Sequence, residues 1–359
     1  MAAGPATCRL ALVGFGTVGQ GVTEILAQRR ERYAREFGLD MRVVAVSDLN
    51  RGSIYDPAGF EPQALLDNAG DLERLGAPHK GWDALRTIRE CNADAVLEMA
   101  YTDLETGEPG LSHARAALSN GKHIVMSSKG AVALHFPELL ALANENGVSI
   151  GVEGTVMSGT PTLALATEML KGAGVTRIEG ILNGTTNYIL TRMGEGLAYG
   201  DALAEAQQKG YAEADPTGDV EGIDAAGKVA ILANLVMDRP LALSDVRRQG
   251  ISRLTPADIE EARAAGQVWK LIGYVDGASA RVEPRRIPAS HPLAAISGAT
   301  NAVTFTTDYL GEVTLIGPGA GKLETGYAMI GDLLKIARQG GFAAASRSNA
   351  TGPQGATTT

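Results

Sequence analysis

A short apolar run, Arg9-Leu-Ala-Leu-Val13, ends in Gly14-Phe-Gly16-Thr-Val-Gly19. An amphipathic stretch follows, with Val18, Val22, Ile25 and Leu26 on one side. Strand, G-x-G-x-x-G and helix, in that order, is the context in which this glycine pattern binds a dinucleotide. Gly14 makes the tight turn, Gly16 lets main chain approach a pyrophosphate, and Gly19 lets the helix lie close on the strand. The helix N-terminus adds free N–H groups and a positive dipole end. The pattern therefore predicts cofactor contacts at Gly14, Phe15, Gly16, Thr17, Val18 and Gly19. It also predicts an α/β fold with a Rossmann-type nucleotide-binding domain.

Met41-Arg-Val-Val-Ala-Val-Ser47-Asp48 reads as a second buried strand ending in an acid. Asp48 there can accept from an adenosine ribose and disfavours a 2′-phosphate. It lies 29 residues beyond Gly19 (48 minus 19), so residues 27–40 must hold a long helix and a loop. Arg51, close behind, could tolerate the 2′-phosphate, which leaves NAD and NADP both open. The plainer alternative is a glycine turn with a solvated Asp48. Residues 60–75 and 82–90 read as helices without chemistry. A third strand, Ala95 to Ala100, leads to Tyr101-Thr102-Asp103, and a fourth, Lys122 to Met126, to Ser127-Ser-Lys129-Gly130. Both segments leave the carboxyl ends of strands, where ligands bind in such sheets. Lys129 is thereby placed beside a cofactor or its substrate. A helix over residues 137–146 and a strand over 148–152 close the first domain.

The chain has 359 residues, more than one core accommodates. Its net charge of -9, without any Lys/Arg run, argues against nucleic acid or an anionic membrane as the main partner. Two cysteines, Cys8 and Cys91, make no disulfide framework and suit a reducing compartment. The first residues lack a basic, apolar signal segment, and no stretch reaches the ~18–20 apolar residues of a membrane span. The expected location is cytoplasmic. No C-x-x-C or H-E-x-x-H spacing marks a metal site.

The second half holds the other chemistry. Thr160-Pro161 looks like a helix cap followed by a first-turn proline. Asn183-Gly-Thr-Thr-Asn-Tyr188 opens a helix with hydroxyls and N–H groups suited to a carboxylate. Gly210-Tyr-Ala-Glu-Ala-Asp-Pro216 is a loop, and Pro216 forbids a helix through it. Glu213, Asp215 and Asp219 give the segment three carboxylates. From about Val220 the pattern turns helical, and Asp224 and Lys228, four apart, share a face. The neighbours of Lys228 (Ile223, Ala225, Ala226, Gly227 and Val229 to Leu232) are small or apolar, as in a buried helix. A lysine there must be paired or have a chemical task. The plain reading, a surface i,i+4 ion pair, stays open on this pattern alone.

Taken together, Gly14 to Gly19, Glu153-Gly-Thr-Val156, Ile178 to Tyr188, Gly210 to Pro216, Asp219, Gly222-Ile-Asp224, Lys228 and Gly317-Pro-Gly-Ala-Gly321 resemble the homoserine dehydrogenase family, over most of residues 9–338. The resemblance implies NAD(P)-dependent interconversion of L-aspartate 4-semialdehyde and L-homoserine. It implies that Lys228 is the proton donor and Lys129 a second lysine at the reacting centre. Glu213, Asp219, Asp224, Gly184, Thr185 and Tyr211 correspond to substrate contacts. Gly14, Gly16, Thr102, Lys129 and Gly321 correspond to cofactor contacts. Glu153, with the backbone of Val156, Ser158 and Thr160, is similar to the family's sodium site, although a structural carboxylate accounts for Glu153 equally well. The family often has Asn where this chain has Ser128, which puts one cofactor-side hydrogen bond in doubt.

Towards the C-terminus, Thr255-Pro256 starts a helix and Asp276-Gly277 joins two strands as a hairpin. His291, before Pro292 in a loop, reads as structural. Gly317 to Gly321 opens a last helix that is expected to return to the first domain. The expected organisation is an NAD(P)-binding domain over residues 1–152 and 317–342, an α+β substrate and dimerisation domain with a mixed sheet over 153–316, and a disordered tail over 343–359. No room is left for a further regulatory domain, and a homodimer is expected. Two other readings stay open: a different NAD(P)-dependent amino-acid dehydrogenase, and a non-catalytic dinucleotide-binding regulator.

Overall fold

The computed structural model describes residues 4–342, so the tail expected over 343–359 lies outside them. The first half runs β1 (Ala6–Val13), α1 (Thr17–Phe37), β2 (Leu39–Asp48), β3 (Gly52–Phe60), α2 (Pro62–Asp67), β4 (His79–Lys80), α3 (Ala84–Glu90), β5 (Ala95–Glu98), α4 (Gly110–Ser119), β6 (His123–Met126), α5 (Gly130–Asn146) and β7 (Ile150–Gly151). Its seven strands are ordered β4-β3-β2-β1-β5-β6-β7. The five from β2 to β7 are parallel, while β3 and β4 are antiparallel additions. Chain order reverses between β1 and β5, so the crevice above their carboxyl ends is where a ligand is received.

The long interval before Asp48 is taken up by α1, which extends to Phe37 and ends on left-handed Gly38. Strand β3 is absent from the sequence expectation. It carries Pro57 and Gly59 and lacks clean alternation, so its pairing with β2, not its own pattern, makes it a strand. Helix α5 begins seven residues before Pro137, not at it. Proline has no N–H to give Ala133 four residues back, and that carbonyl instead faces Asn234 Nδ2 at 3.5 Å.

The second half runs α6 (Thr162–Ala164), β8 (Val175–Ile181), α7 (Gly184–Gly194), α8 (Tyr199–Gln208), α9 (Thr217–Val220), α10 (Ile223–Val236), β9 (Arg247–Arg248), α11 (Pro256–Ala264), β10 (Gln267–Asp276), β11 (Ala280–Pro288), β12 (Thr300–Thr307), β13 (Gly311–Pro318) and α12 (Lys322–Arg338). Its mixed sheet is ordered β13-β12-β8-β10-β11-β9. Helix α10 is apolar all round, and Ala225 to Ala233 are all buried. Its flank at Gly227 meets the Leu104 side chain from the loop beyond β5, where an added Cβ would lie 3.1 Å from a Leu104 methyl. Burial of α10 thereby brings Lys228 to the ligand edge of the first sheet.

Helix α12 packs back on α1, the return that the glycine turn suggested. The two helices cross where both lack side chains: a Cβ on Gly21 would lie 2.1 Å from the Lys322 carbonyl oxygen, and one on Gly326 2.8 Å from Gly21 main chain. Among the described residues no helix is long and apolar enough to cross a membrane. Gly21→Ala should force the helices apart and destabilise the fold by about 1–3 kcal/mol, read as a lower urea midpoint. An unchanged midpoint would show that the crossing has slack.

Candidate active site

The three fingerprint glycines have three different surroundings. Gly14 adopts φ 95° under the chain beyond β5, and an added Cβ would sit 2.6 Å from the Met99 carbonyl oxygen. A Cβ on Gly19 would lie 2.5 Å from Gly14 oxygen, so helix and turn touch there. Gly16 faces open space, as close approach of a pyrophosphate requires. Helix α1 starts at this point with no side-chain cap and no acid in its first turn, which leaves its dipole end available to phosphate. Asp48 Oδ2 accepts from Phe15 N at 2.7 Å, and Oδ1 accepts from Asn50 N and Arg51 N at 2.9 and 3.0 Å. Those contacts use three of about four acceptor positions on a carboxylate, so one stays open for a ribose hydroxyl. The Arg51 guanidinium turns away and donates to the Ala69 carbonyl at 2.5 Å.

Lys129 and Thr102 meet on the same edge, where Lys129 N donates to Thr102 Oγ1 at 3.1 Å. Ser128 is buried and donates to Glu98, which is fully buried and also lies 3.3 Å from His113 Nδ1. The serine that replaces the family's common Asn is thus held inside the first domain. An added Cβ on Gly110 would stand 2.8 Å from its hydroxyl, which marks how little room there is.

The substrate-side residues converge on Asp224. Lys228 is buried, and its ammonium donates to Asp224 Oδ2 at 2.7 Å and to the Leu182 carbonyl at 2.6 Å. An ammonium has three donors, so one remains for a ligand. Lys129 Nζ lies 3.4 Å from Asp224 Oδ1. A single carboxylate therefore joins a lysine from the first sheet's edge to one from the buried helix. Asn183 caps α7 by accepting from Thr186 N at 2.9 Å, while its Nδ2 donates to Asp219 at 2.6 Å and Asp224 at 3.1 Å. Burial pushes the Asp224 carboxyl up, but Lys228, Lys129 and Asn183 outweigh it and hold it well below the usual carboxylate range. Asp219 forms no ion pair among the described residues, and Lys228 is the least of the influences on it. Burial raises its carboxyl, Asn183 offsets part of the rise, and the Asp224 charge adds to it.

Thr185 Oγ1 donates to the Tyr211 carbonyl at 2.6 Å, and the Tyr211 ring lies 5.0 Å from that of Tyr188. Gly184 is pressed on the Ala299 carbonyl, where a Cβ would come within 2.6 Å. Glu213 is exposed on its loop, and among the described hydrogen bonds only its main-chain carbonyl is engaged, by Gln207. Gly321 starts α12 in the turn that abuts α1. His291 accepts from Leu293 N at 3.2 Å through Nδ1, a structural contact. Asn183 and the Leu182 carbonyl carry no role in the sequence reading. An Asn at a strand-to-helix junction signals a cap, but its grip on two distant carboxylates leaves no local mark.

The cap of α6 carries a correction, and it concerns Thr160. The Glu153 carboxylate accepts from Leu163 N at 2.9 Å and Ala164 N at 2.6 Å, so Glu153, not Thr160, caps α6. Thr160 Oγ1 donates instead to the Pro318 carbonyl at 3.0 Å. A cation there would use the acceptor positions left on the Glu153 carboxylate and the main-chain oxygens of Val156, Ser158 and Thr160. The backbone bends tightly there, with Met157 and Ser158 left-handed at φ 58° and 54°. Among the described residues no three His, Cys, Asp or Glu side chains cluster as metal ligands.

A dinucleotide-type sheet facing two cations and a half-buried acid pair defines a nucleotide-dependent oxidoreductase of two-sheet design. Sequence models for "Homoserine dehydrogenase, NAD binding domain" and "Homoserine dehydrogenase" match residues 14–153 and 161–334. The NAD(+)-dependent homoserine dehydrogenase of Pseudomonas canavaninivorans is 46% identical, over 91% of this chain and 96% of that protein. The homoserine dehydrogenase of Methanocaldococcus jannaschii is 39% identical, over 90% and 97%. A crystal structure of a putative homoserine dehydrogenase from Archaeoglobus fulgidus superposes with TM-score 0.82 at 39% identity, covering 92% of this chain and 99% of that one. A hyperthermophilic archaeal homoserine dehydrogenase in complex with NADPH gives 0.81 at 30% identity, covering 93% and 98%. The chain belongs to the homoserine dehydrogenase family, an NAD(P)-dependent oxidoreductase family.

Because the folded Asp224 carboxyl is depressed, its contribution to stability is present above the unfolded value near ~3.9 and is lost as pH falls towards the folded one. Asp224→Asn should lower the melting temperature at pH 7 and flatten its fall between pH 4 and 2. A variant curve parallel to the wild type would remove Asp224 from the acid response.

Proposed function

We propose that the chain interconverts L-aspartate 4-semialdehyde and L-homoserine, on the route to threonine and methionine, with Lys228 as proton donor and NAD as the preferred cofactor. The observation that carries this reading is the shared Asp224, which ties Lys129 at the nucleotide edge to Lys228 in α10. Gly14 to Gly19, Asp48, Thr102 and Gly321 would hold the cofactor, whose nicotinamide would supply hydride for the aldehyde carbon. The electron pair of the C=O bond then gathers on oxygen. Lys228 stabilises that charge and gives it a proton. Asp224 and the Leu182 carbonyl fix the Lys228 ammonium in place, and Lys129 adds a second positive charge beside it. The substrate's α-ammonium is met by Asp219, Asp224 and Glu213, and its carboxylate by the Gly184–Thr185 end of α7, with Tyr211 closing the loop side.

Asp48 and the averted Arg51 support NAD over NADP, because a 2′-phosphate would meet a carboxylate without a facing cation. The two-domain division at residues 152 and 317 is part of the same reading. So is a homodimer through the second sheet, whose edge carries exposed Tyr309, Leu310 and Ile316. The left-handed pair Met157–Ser158 supports a sodium ion on Glu153 and the carbonyls of Val156, Ser158 and Thr160.

Absorbance at 340 nm during L-homoserine oxidation, with NAD and NADP in parallel, tests the assignment. NAD should give at least about tenfold higher kcat/KM, and Lys228→Ala should lose ~10²–10⁴-fold in turnover with cofactor still bound. Deamination of an amino acid without homoserine oxidation, or full turnover in Lys228→Ala, would reject it. Sedimentation and thermal melting in sodium chloride against choline chloride test the rest. A dimer with a higher melting temperature in sodium is expected; a monomer, or identical melting, counts against the corresponding part.

A further inference from the structure

Asn301, near the start of β12, is fully buried. Neither its carboxamide oxygen nor its nitrogen has a hydrogen-bond partner among the described residues. Most buried polar groups are paired, and an unpaired one carries the whole cost of leaving water. Asn301 therefore needs a reason.

Its surroundings supply one. A Cβ built on Gly319 would lie 2.3 to 2.4 Å from the carboxamide carbon, oxygen and nitrogen. A Cβ on Gly184 would lie 3.4 Å from the same oxygen. On the Gly319 side only glycine main chain can approach the carboxamide so closely, while on the Gly184 side the contact is an ordinary van der Waals one. Gly319 belongs to the turn before α12, and the first residue of that helix, Lys322, meets Gly21 of α1. Gly184 opens α7, whose cap Asn183 holds Asp219 and Asp224. The carboxamide thus stands where the cofactor-side turn meets the substrate-side helix.

We propose that Asn301 is a positioning residue whose carboxamide finds its partners in the main chain of the 317–321 turn once ligands are bound, so that cofactor and substrate each tighten the other. The inference rests on the dehydrogenase reading above. In the free enzyme the unpaired amide is a stored cost, and the bound arrangement relieves it. A buried water that satisfies the amide equally in both states is the competing account.

The test uses Asn301→Leu, which keeps the shape and removes the polar atoms, with Asn301→Ala alongside in case leucine does not fit. NADH affinity is read by nucleotide fluorescence, without and with L-homoserine, a pair that cannot turn over. The free variant should melt at the wild-type temperature or above it, while its NADH affinity falls about tenfold. The tightening of NADH by homoserine should also be lost, and Asn301→Asp, which keeps an acceptor, should restore part of it. Unchanged NADH affinity, or an affinity loss matched by a lower melting temperature, would overturn the proposal. The arm without homoserine decides this even if the wild type does not oxidise homoserine, so the two failures are told apart.

Discussion

The structure depends on a charge problem solved by one carboxylate. Lys228 lies in a helix with apolar surroundings, where an unpaired ammonium would be very costly. Asp224, one turn earlier, and the Leu182 carbonyl, at the end of β8, pair it from within the second half of the chain. The other oxygen of Asp224 faces Lys129, which stands on the first sheet. The ion cluster can therefore form only when both sheets are built and face each other. Removing Asp224 would leave the buried Lys228 ammonium with no counterion, which is the expensive way to break such a network.

Glycine does the complementary work of bringing main chain together. Gly14 and Gly19 close the cofactor turn against β5 and α1, Gly21 and Gly326 close the helix crossing, and Gly184 closes α7 against the 299 carbonyl. Each would clash if it carried a Cβ, whereas Gly16 alone among the fingerprint glycines faces empty space. Contact and clearance are thus divided among neighbouring positions.

What could be read in the sequence was what is written locally. The fingerprint was legible because each glycine answers to main-chain geometry within a few residues. Helix α10 was legible because its residues are apolar on every side. Strand β3 was not, since Pro57 and Gly59 hide it until β2 supplies the partner. The Thr160-Pro161 pair looked like a helix start, but a carboxylate ten residues before Leu163 took the amides that a local cap would have used. The orphaned amide of Asn301 has no local signature at all, because the glycines that enclose it come from opposite ends of the second half.

The chain passes between its two sheets twice, once through residues 152–160 and once through 317–321. These passages lie side by side: Thr160 Oγ1 reaches the Pro318 carbonyl, and Gly159 abuts the main chain of Glu324. Two adjacent tethers therefore behave as one seam. With both crossings pinned at one place, the point where the chain leaves the first sheet and the point where it comes back are held together, and the approach of Lys129 to Asp224 is set from there.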